Sequence, residues 1–244
     1  MPQLGASSSG LELARESGHK ITPPLPAMAP LCLSEVWIKS LSGISLPDAL
    51  LSLTCGNTSQ KSRGTLLFTH DGVSGMAALN LAGTAYRMWS AKPDKLKITL
   101  NFLADKSTAD YAQMLTSFQK EMPDKLLKTS LSHFLPKSLA AGICAAAGVE
   151  NRQNRDLKVS EKENFIRSLS AMPLTIERLC PVEKAMAMSG GIHLKEVDPE
   201  TMGSRLVRGL FFAGEILDLT GPCGGFNIQF ALSSGYLAGT SSLC

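Results

Sequence analysis

The feature that most constrains the fold of this 244-residue chain is the segment Gly209–Gly239. It begins with residues 210–213 (LFFA), a short and continuously apolar run that predicts a central strand buried on both faces of an α/β sheet. A glycine-rich loop at residues 221–225 (GPCGG) leads into a helix predicted at about residues 224–237. A strand, a glycine-rich loop and a helix in this order predict a backbone that can approach a ligand closely.

The polar groups around this loop suit a flavin. Gly224 and Gly225 carry no Cβ, and the first N–H groups of the following helix form a partly positive end. Donors of this kind would stabilise the negative charge that a reduced flavin gains on its N1–C2=O2 edge. Glu215 follows the predicted strand, where it could accept hydrogen bonds from ribityl hydroxyls, and Asp218 lies three residues further on.

A purely structural interpretation of the same pattern stays open, because glycine in a turn also permits tight packing of a helix on a strand. Cys223 could be a redox group or an inert thiol. His70 could be a general acid or a turn residue at a strand end, and His19 could satisfy the end of a helix. The sequence therefore identifies no catalytic residue.

The rest of the chain divides into a β-rich part, an α-rich part and a return to strands, which predicts two subdomains and an α+β fold. Strands are predicted at residues 36–41, 49–55, 64–70, 95–102, 173–180, 185–188 and 192–197. Helices are predicted at residues 72–88, 107–121, 124–134, 136–147 and 160–171, the last two opening with a proline and with a capping box at Ser160.

Composition narrows the function classes. A net charge of +3 without a Lys/Arg run does not indicate nucleic acid as a partner. The six cysteines form no CxxC pair and the four histidines are dispersed, so we expect free thiols and no metal site. No signal peptide and no apolar stretch of membrane-spanning length is visible, so we expect a cytoplasmic protein without a membrane partner.

Several motifs resemble one family over nearly the whole chain and in the same order. They are Gly18-His19 before a proline-rich stretch, residues 67–75 (LFTHDGVSG), Asn151-Arg152, residues 190–202 with GGI and EVDPETM, and Gly209–Gly239. The chain resembles the BaiN-type bacterial NAD(P)/FAD-dependent oxidoreductases, also described as aminoacetone-oxidase-like flavoproteins.

The resemblance implies a Rossmann-like FAD domain that is interrupted by an insertion. Residues 1–24 would end the first part of the FAD domain, 25–189 would be the insertion and 190–244 the C-terminal part. Within the insertion, residues 25–102 would be β-barrel-like, 103–171 helical and 172–189 returning strands. The residues implied at the flavin are Gly214, Glu215, Asp218, Gly224, Gly225, Phe226 and Asn227.

The sequence departs from the family in one respect, since it contains no GxGxxG turn of the kind that holds the FAD pyrophosphate. We therefore expect a truncated or split FAD-dependent oxidoreductase that binds FAD weakly or not at all alone, with a separate chain as a possible supplier of the phosphate-binding segment. The implied substrate is a small molecule, with NAD(P)H as a possible reductant. The alternative is a non-catalytic fragment or binding module.

Overall fold

The computed structural model describes residues 7–243, and residues 1–6 and Cys244 lie outside that description. The helices are α1 (Ser9–Glu16), α2 (Val36–Lys39), α3 (Met76–Ala91), α4 (Thr108–Glu121), α5 (Leu127–Leu131), α6 (Lys137–Ala146), α7 (Val159–Ser170) and α8 (Phe226–Ser241). The strands are β1 (Ile21–Ala27), β2 (Leu31–Leu33), β3 (Ser45–Cys55), β4 (Thr58–Thr69), β5 (Gly72–Ser74), β6 (Leu96–Asn101), β7 (Met172–Leu174), β8 (Ile176–Arg178) and β9 (Ala187–Ile192). The predicted mixture of helices and strands is confirmed.

The chain forms two compact units. The first unit holds the chain up to Pro30, Leu79–Ala91 and the chain from Leu179 onward, and the second holds Leu31–Ala78 and Lys92–Arg178. The predicted domain limits after residues 24 and 189 stay a prediction. The strands that cross these limits, β1 and β9, pair with each other in antiparallel fashion in the first unit.

The second unit is built on a seven-stranded antiparallel sheet with the order β7-β6-β3-β4-β5-β2-β8. Strands β7 and β8 occupy opposite edges of this sheet, although Thr175 alone separates them in the chain. Because one residue spans only about 3.5 Å, the two edges must come close together and the sheet must curl. This geometry agrees with the barrel-like character expected for these strands.

Alternation along the strands places one face of this sheet in the core. Leu51 and Leu53 of β3 and Ile98 and Leu100 of β6 are all buried. Helix α4 begins where predicted, because Ser107 Oγ accepts the Asp110 N–H at 3.2 Å while Asp110 Oδ2 accepts the Ser107 N–H at 2.7 Å.

Three predictions for the second unit are wrong in detail. Residues 36–39 form the short helix α2 instead of a strand. Residues 72–74 form β5, so α3 begins at Met76 and not at Gly72. The capping box predicted at Ser160 begins two residues earlier, at Lys158. Helix α7 begins at Val159, and Glu161 Oε2 accepts the Lys158 N–H at 2.9 Å.

The first unit contains an apolar cluster built from α1, β9, α8 and the chain between β9 and α8. Its buried members are Ala14, Ile192, Val197, Met202, Phe212, Leu217 and Ala238. Helix α1 contributes Ala14 with Leu11 packed beside it, and helix α8 contributes Ala238 with Phe230 and Leu237. The cluster therefore holds the C-terminal helix against the turn that precedes the glycine-rich loop.

The central strand predicted at residues 210–213 is wrong for the described part of the chain. Phe211 forms only an isolated bridge with Gly203, and Ala213 is extended with φ −147° and ψ 148°. A strand needs neighbours for its ladder of hydrogen bonds, and a parallel neighbour must come from distant sequence. No described strand occupies that place.

Among the described residues, Cys32, Cys55, Cys144, Cys180 and Cys223 form no disulfide, while Cys244 lies outside the described residues. Among helices of residues 7–243, none combines the length and apolarity needed to cross a bilayer.

Candidate functional site

Glu215 is carried by a single turn of 3-10 helix, Gly214–Ile216, in the first unit. Gly214 adopts φ +74°, a left-handed conformation that glycine accepts at low cost. Its N–H donates to Ser234 Oγ at 2.9 Å, and Ser234 Oγ in turn donates to the Phe230 carbonyl at 2.7 Å. Helix α8 therefore fixes the turn from one side through a buried serine.

Strand β9 fixes the same turn from the other side. The Asp218 N–H donates to the Ile192 carbonyl at 3.0 Å, and Ile192 forms a parallel bridge with Leu217. At Gly191, with φ +131°, a Cβ would lie 2.8 Å from the Leu217 carbonyl carbon and closer still to Ile216 O. Only glycine permits this approach, so Gly191 sets where Glu215 stands relative to β9.

Glu215 borders a cavity of about 380 Å³ within the first unit. The other lining residues come from α1, the β1–β9 pair and the chain next to them: Ser7, Ser8, Gly10, Leu11, Pro24, Val182, Met188, Gly190 and Ile216. Glu215 Oε1 accepts the Met188 N–H at 3.1 Å. A carboxylate offers about four lone-pair positions, so this bond leaves capacity to accept hydrogen bonds from a hydroxylated ligand.

Asp218 is engaged with neighbouring side chains. Thr22 Oγ1 donates to Asp218 Oδ2 at 2.6 Å, and Arg87 Nη2 lies 3.7 Å from Asp218 Oδ1. These contacts join β1, α3 and the turn after Leu217 through one carboxylate. Asp218 does not line the cavity beside Glu215.

The glycine-rich loop is held in shape by two asparagines. Asn227 Oδ1 accepts the Gly221 N–H at 2.7 Å and its Nδ2 donates to the Gly221 carbonyl at 3.1 Å. Asn80 of α3 accepts the Cys223 N–H at 2.8 Å. Both amides therefore close and anchor the loop, and Asn80, 143 residues away in the chain, carries no local sequence signal for this role.

The N-terminus of α8 presents the backbone donors that the sequence predicts. Gly225 is the N-cap with φ +90°, and no side chain caps the helix. The first N–H groups of a helix have no partner within it, and they form its partly positive end. A Cβ on Gly225 would meet no atom within 4 Å, so glycine is required here for the positive φ and not for lack of space. The space beside Gly225 is open to a ligand.

The seven predicted flavin contacts thus fall into two groups. Gly224, Gly225, Phe226 and Asn227 lie at the start of α8, and Gly214, Glu215 and Asp218 lie on the turn before the loop. Of the seven, only Glu215 lines the cavity of about 380 Å³. Their assignment as cofactor contacts stays a prediction.

A buried polar cluster that the sequence did not predict lies in the same unit. His19 Nδ1 is 3.1 Å from Glu196 Oε2, and His19 Nε2 is 2.8 Å from Ser204 Oγ. The ring also packs edge-on against Phe212, with centroids 4.8 Å apart. The Lys20 N–H, with His19 beside it, holds the pKa of Glu196 below its usual value.

Ser204 in this cluster resembles a nucleophile paired with a base, but its hydrogen bonds indicate a structural role. Its Oγ accepts the N–H groups of Leu206 and Val207 at 3.1 and 2.9 Å. Both lone pairs of the neutral hydroxyl are thereby used and its proton is left for His19, so a substrate would have to displace these backbone bonds to reach the oxygen. The cluster ties the start of β1 to the segment before Phe211.

The remaining candidates from the sequence are His70, in the second unit, and Cys223, in the first. His70 is exposed in the turn between β4 and β5, and Cys223 is half-buried in the glycine-rich loop. Among the described His, Cys, Asp and Glu residues, no three come together as metal ligands would.

Comparisons with known proteins match this chain along almost all of its length. The family described as "HI0933-like protein Rossmann domain" matches residues 1–241. The chain is 28% identical over 241 residues to a 3-dehydro-bile acid delta(4,6)-reductase of Clostridium scindens, covering 98% of the chain and 58% of that protein. It is 32% identical over 248 residues to a ribosomal RNA dihydrouridine synthase of Haemophilus influenzae, covering 99% of the chain and 57% of that protein.

A ribosomal RNA dihydrouridine synthase of Escherichia coli gives 29% identity over 239 residues, covering 97% of the chain and 56% of that protein. The chain therefore spans less than three-fifths of the length of these relatives. The family resemblance predicted from the motifs is confirmed.

Proposed function

Because this chain belongs to the HI0933-like Rossmann-domain family, we propose that it is a flavin-dependent oxidoreductase acting together with a separate FAD-phosphate-binding segment. A relative named as a bile acid reductase supports the reaction class. The observation that carries the proposal is the position of Glu215, a carboxylate with spare acceptor capacity at a cavity whose wall includes Gly190.

The residues fit part of FAD. A volume of about 380 Å³ is at the lower end of the range of roughly 300–1,000 Å³ for small-molecule sites, so the cavity suits the ribityl region better than a whole dinucleotide. Glu215 would accept hydrogen bonds from ribityl hydroxyls. Bound FAD would supply the hydride chemistry, with NAD(P)H as the proposed reductant.

The chain's own contribution is binding and electrostatics. The uncapped start of α8 provides N–H donors and a partial positive charge, and Gly224 and Gly225 allow a ligand to come close to them. Such donors favour a reduced, negatively charged flavin and raise its reduction potential. Asp218 would hold β1 and α3 to the turn after Leu217 through its contacts with Thr22 and Arg87. We assign the proton transfer to no residue of this chain.

The anchor for the FAD pyrophosphate is proposed to come from elsewhere. The sequence lacks GxGxxG, and the curated relatives contain a further two-fifths or more of their length outside the match. We place the phosphate-binding turn in that part, on the same natural protein or on a partner chain. Alone, the 244 residues are expected to bind FAD weakly.

A small organic molecule is the proposed substrate. The names of two relatives point instead to ribosomal RNA, but a net charge of +3 without a basic run gives little attraction for a polyanion. A reductase assay with a bile acid and with ribosomal RNA separates these substrates. Activity on RNA alone would remove the small-molecule proposal.

The flavin site is tested by absorbance. The purified chain should show no stoichiometric peak at about 450 nm, the usual flavin position. The peak should appear after co-expression with the part of the Haemophilus influenzae relative that lies outside the match. Glu215→Gln should weaken the bound flavin, whereas Glu200→Gln, an exposed carboxylate away from the cavity, should not. If the complemented protein holds no flavin, the alternative of a non-catalytic binding module replaces the proposal.

A further inference from the structure

Helix α8 is apolar on two opposite sides. Its 16 residues, Phe226–Ser241, include no Asp, Glu, Lys or Arg. One side carries buried Ser234 and Ala238 together with Phe230 and Leu237, which pack on the core cluster of the first unit. Such a helix normally has protein on both sides, because a surface helix presents polar residues to water.

The opposite side of α8 is exposed. Ile228, Leu232 and Tyr236 follow one another at intervals of four residues and are 70%, 67% and 76% exposed. Gly235 and Gly239 lie in the same stripe, and a Cβ on either would meet no atom within 4 Å. We call these five residues the α8 face.

The shape of the α8 face suits a helix as its partner. Two glycines four residues apart lower the surface between the larger side chains, so another backbone can approach closely. Ile228, Leu232 and Tyr236, spaced four residues apart, form one ridge alongside that groove. With no charge on the face, the complementary surface must itself be apolar, since a charged group buried there would lack a partner.

The described part of the first unit contains nothing of the layer that would cover this face. Its only sheet is the antiparallel pair β1–β9, whereas a Rossmann domain surrounds a parallel sheet with helices on both sides. The chain matches only 56–58% of the length of its relatives. The unmatched length is sufficient for a βαβ unit, which needs about 30 residues.

We propose that the α8 face is the docking site for an apolar helix of the GxGxxG-bearing dinucleotide-binding segment. The inference rests on the proposed function for the identity of the segment. Docking there joins the segment to the same helix whose N-terminus carries Gly224 and Gly225. The face is therefore the surface through which the two halves of the FAD site are held together.

Association is measured first with flavin omitted, which separates docking from cofactor binding. The probe is the part of the Haemophilus influenzae relative that lies outside the match, co-expressed with this chain and titrated by sedimentation. Leu232→Asp and Gly235→Leu should each weaken the complex by at least about tenfold. Ser233→Asp, exposed on the same helix but outside the face, should leave it unchanged. Far-ultraviolet circular dichroism confirms that each exposed-site variant stays folded.

Equal affinity of all three variants, or no association of the wild-type chain, overturns the docking proposal. Self-association of this chain that Leu232→Asp abolishes and the segment does not compete away also overturns it, and assigns the face to a second copy. A complex that depends on Leu232 and Gly235 but binds no added FAD supports docking and contradicts the proposed function. FAD binding that is insensitive to the face variants contradicts docking and leaves the function intact.

Discussion

Replacing Gly191 by alanine tests the close contact that places Glu215 beside β9. Gly191 has φ +131°, and its Cβ would lie 2.8 Å from the Leu217 carbonyl carbon. The backbone conformation alone costs about 1–2 kcal/mol for a residue with a Cβ. Movement of the turn would also weaken the 3.0 Å bond from the Asp218 N–H to the Ile192 carbonyl, which contributes about 1 kcal/mol. The expected loss of unfolding free energy is about 2–4 kcal/mol.

The loss is measurable as a shift in the urea midpoint, or as a fall in Tm of roughly 5–15 °C for a chain of this size. Gly209→Ala is the matched control, because Gly209 has φ +80° and a Cβ there would meet no atom within 4 Å. It should cost only the conformational part, about 1–2 kcal/mol. If the two variants lose equal stability, the argument from close approach at Gly191 is refuted.

Three further predictions concern the first unit. His19→Ala should lower the free energy of unfolding by about 2–4 kcal/mol, since it removes the partner of Glu196 and Ser204; His19→Gln should restore part of this in urea titrations, and equal losses would contradict the hydrogen-bond account. The pKa of Glu196 is lower in the folded state than in the unfolded state, so the stability that its carboxylate contributes is complete above the unfolded pKa of about 4.3 and is lost as pH falls through the folded pKa. The difference in urea midpoint between wild type and Glu196→Gln should therefore disappear on acidification from pH 7. A difference that persists below both pKa values would refute this. Asn80→Ala should leave the Cys223 N–H without its acceptor and speed proteolytic cleavage of the glycine-rich loop, which Asn80→Asp should protect; unchanged cleavage would show that the anchor is dispensable.

Local sequence patterns predicted an element correctly where the residues within that element determine its structure. Strand β6 was predicted from alternation, because a half-buried strand exposes and buries successive side chains. Most of β3 was predicted from the short apolar run at residues 49–55. Helix α4 was predicted at residues 107–121, and the structure adds its cap, in which Ser107 and Asp110 lie within one turn of each other. The helical character of α8 and its glycine start were also predicted from the sequence.

Predictions failed where residues distant in the sequence determine the local structure. The apolar run at residues 210–213 resembles a buried strand, but a strand exists only with neighbours, and the described chain supplies none. Residues 72–74 were predicted as the start of a helix from the spacing of their apolar residues, but they form a strand because β2 and β4 lie on either side of them. At the candidate site, the bonds of Asp218 to Thr22 and of Cys223 to Asn80 join residues 196 and 143 positions apart.

The glycine-rich loop keeps its shape through bonds within the chain, and this bears on how the FAD site would assemble. Asn227 closes the loop on Gly221, and Asn80 holds it at Cys223, so hydrogen bonds within the chain hold the start of α8 in place. A site whose donors are already placed loses little entropy on binding. The weak affinity expected of this chain then reflects a missing phosphate anchor and not a disordered flavin contact. It follows that a docked segment would need to add only its own phosphate-binding turn. The α8 face, as the proposed docking site, would then control the affinity for FAD without touching it.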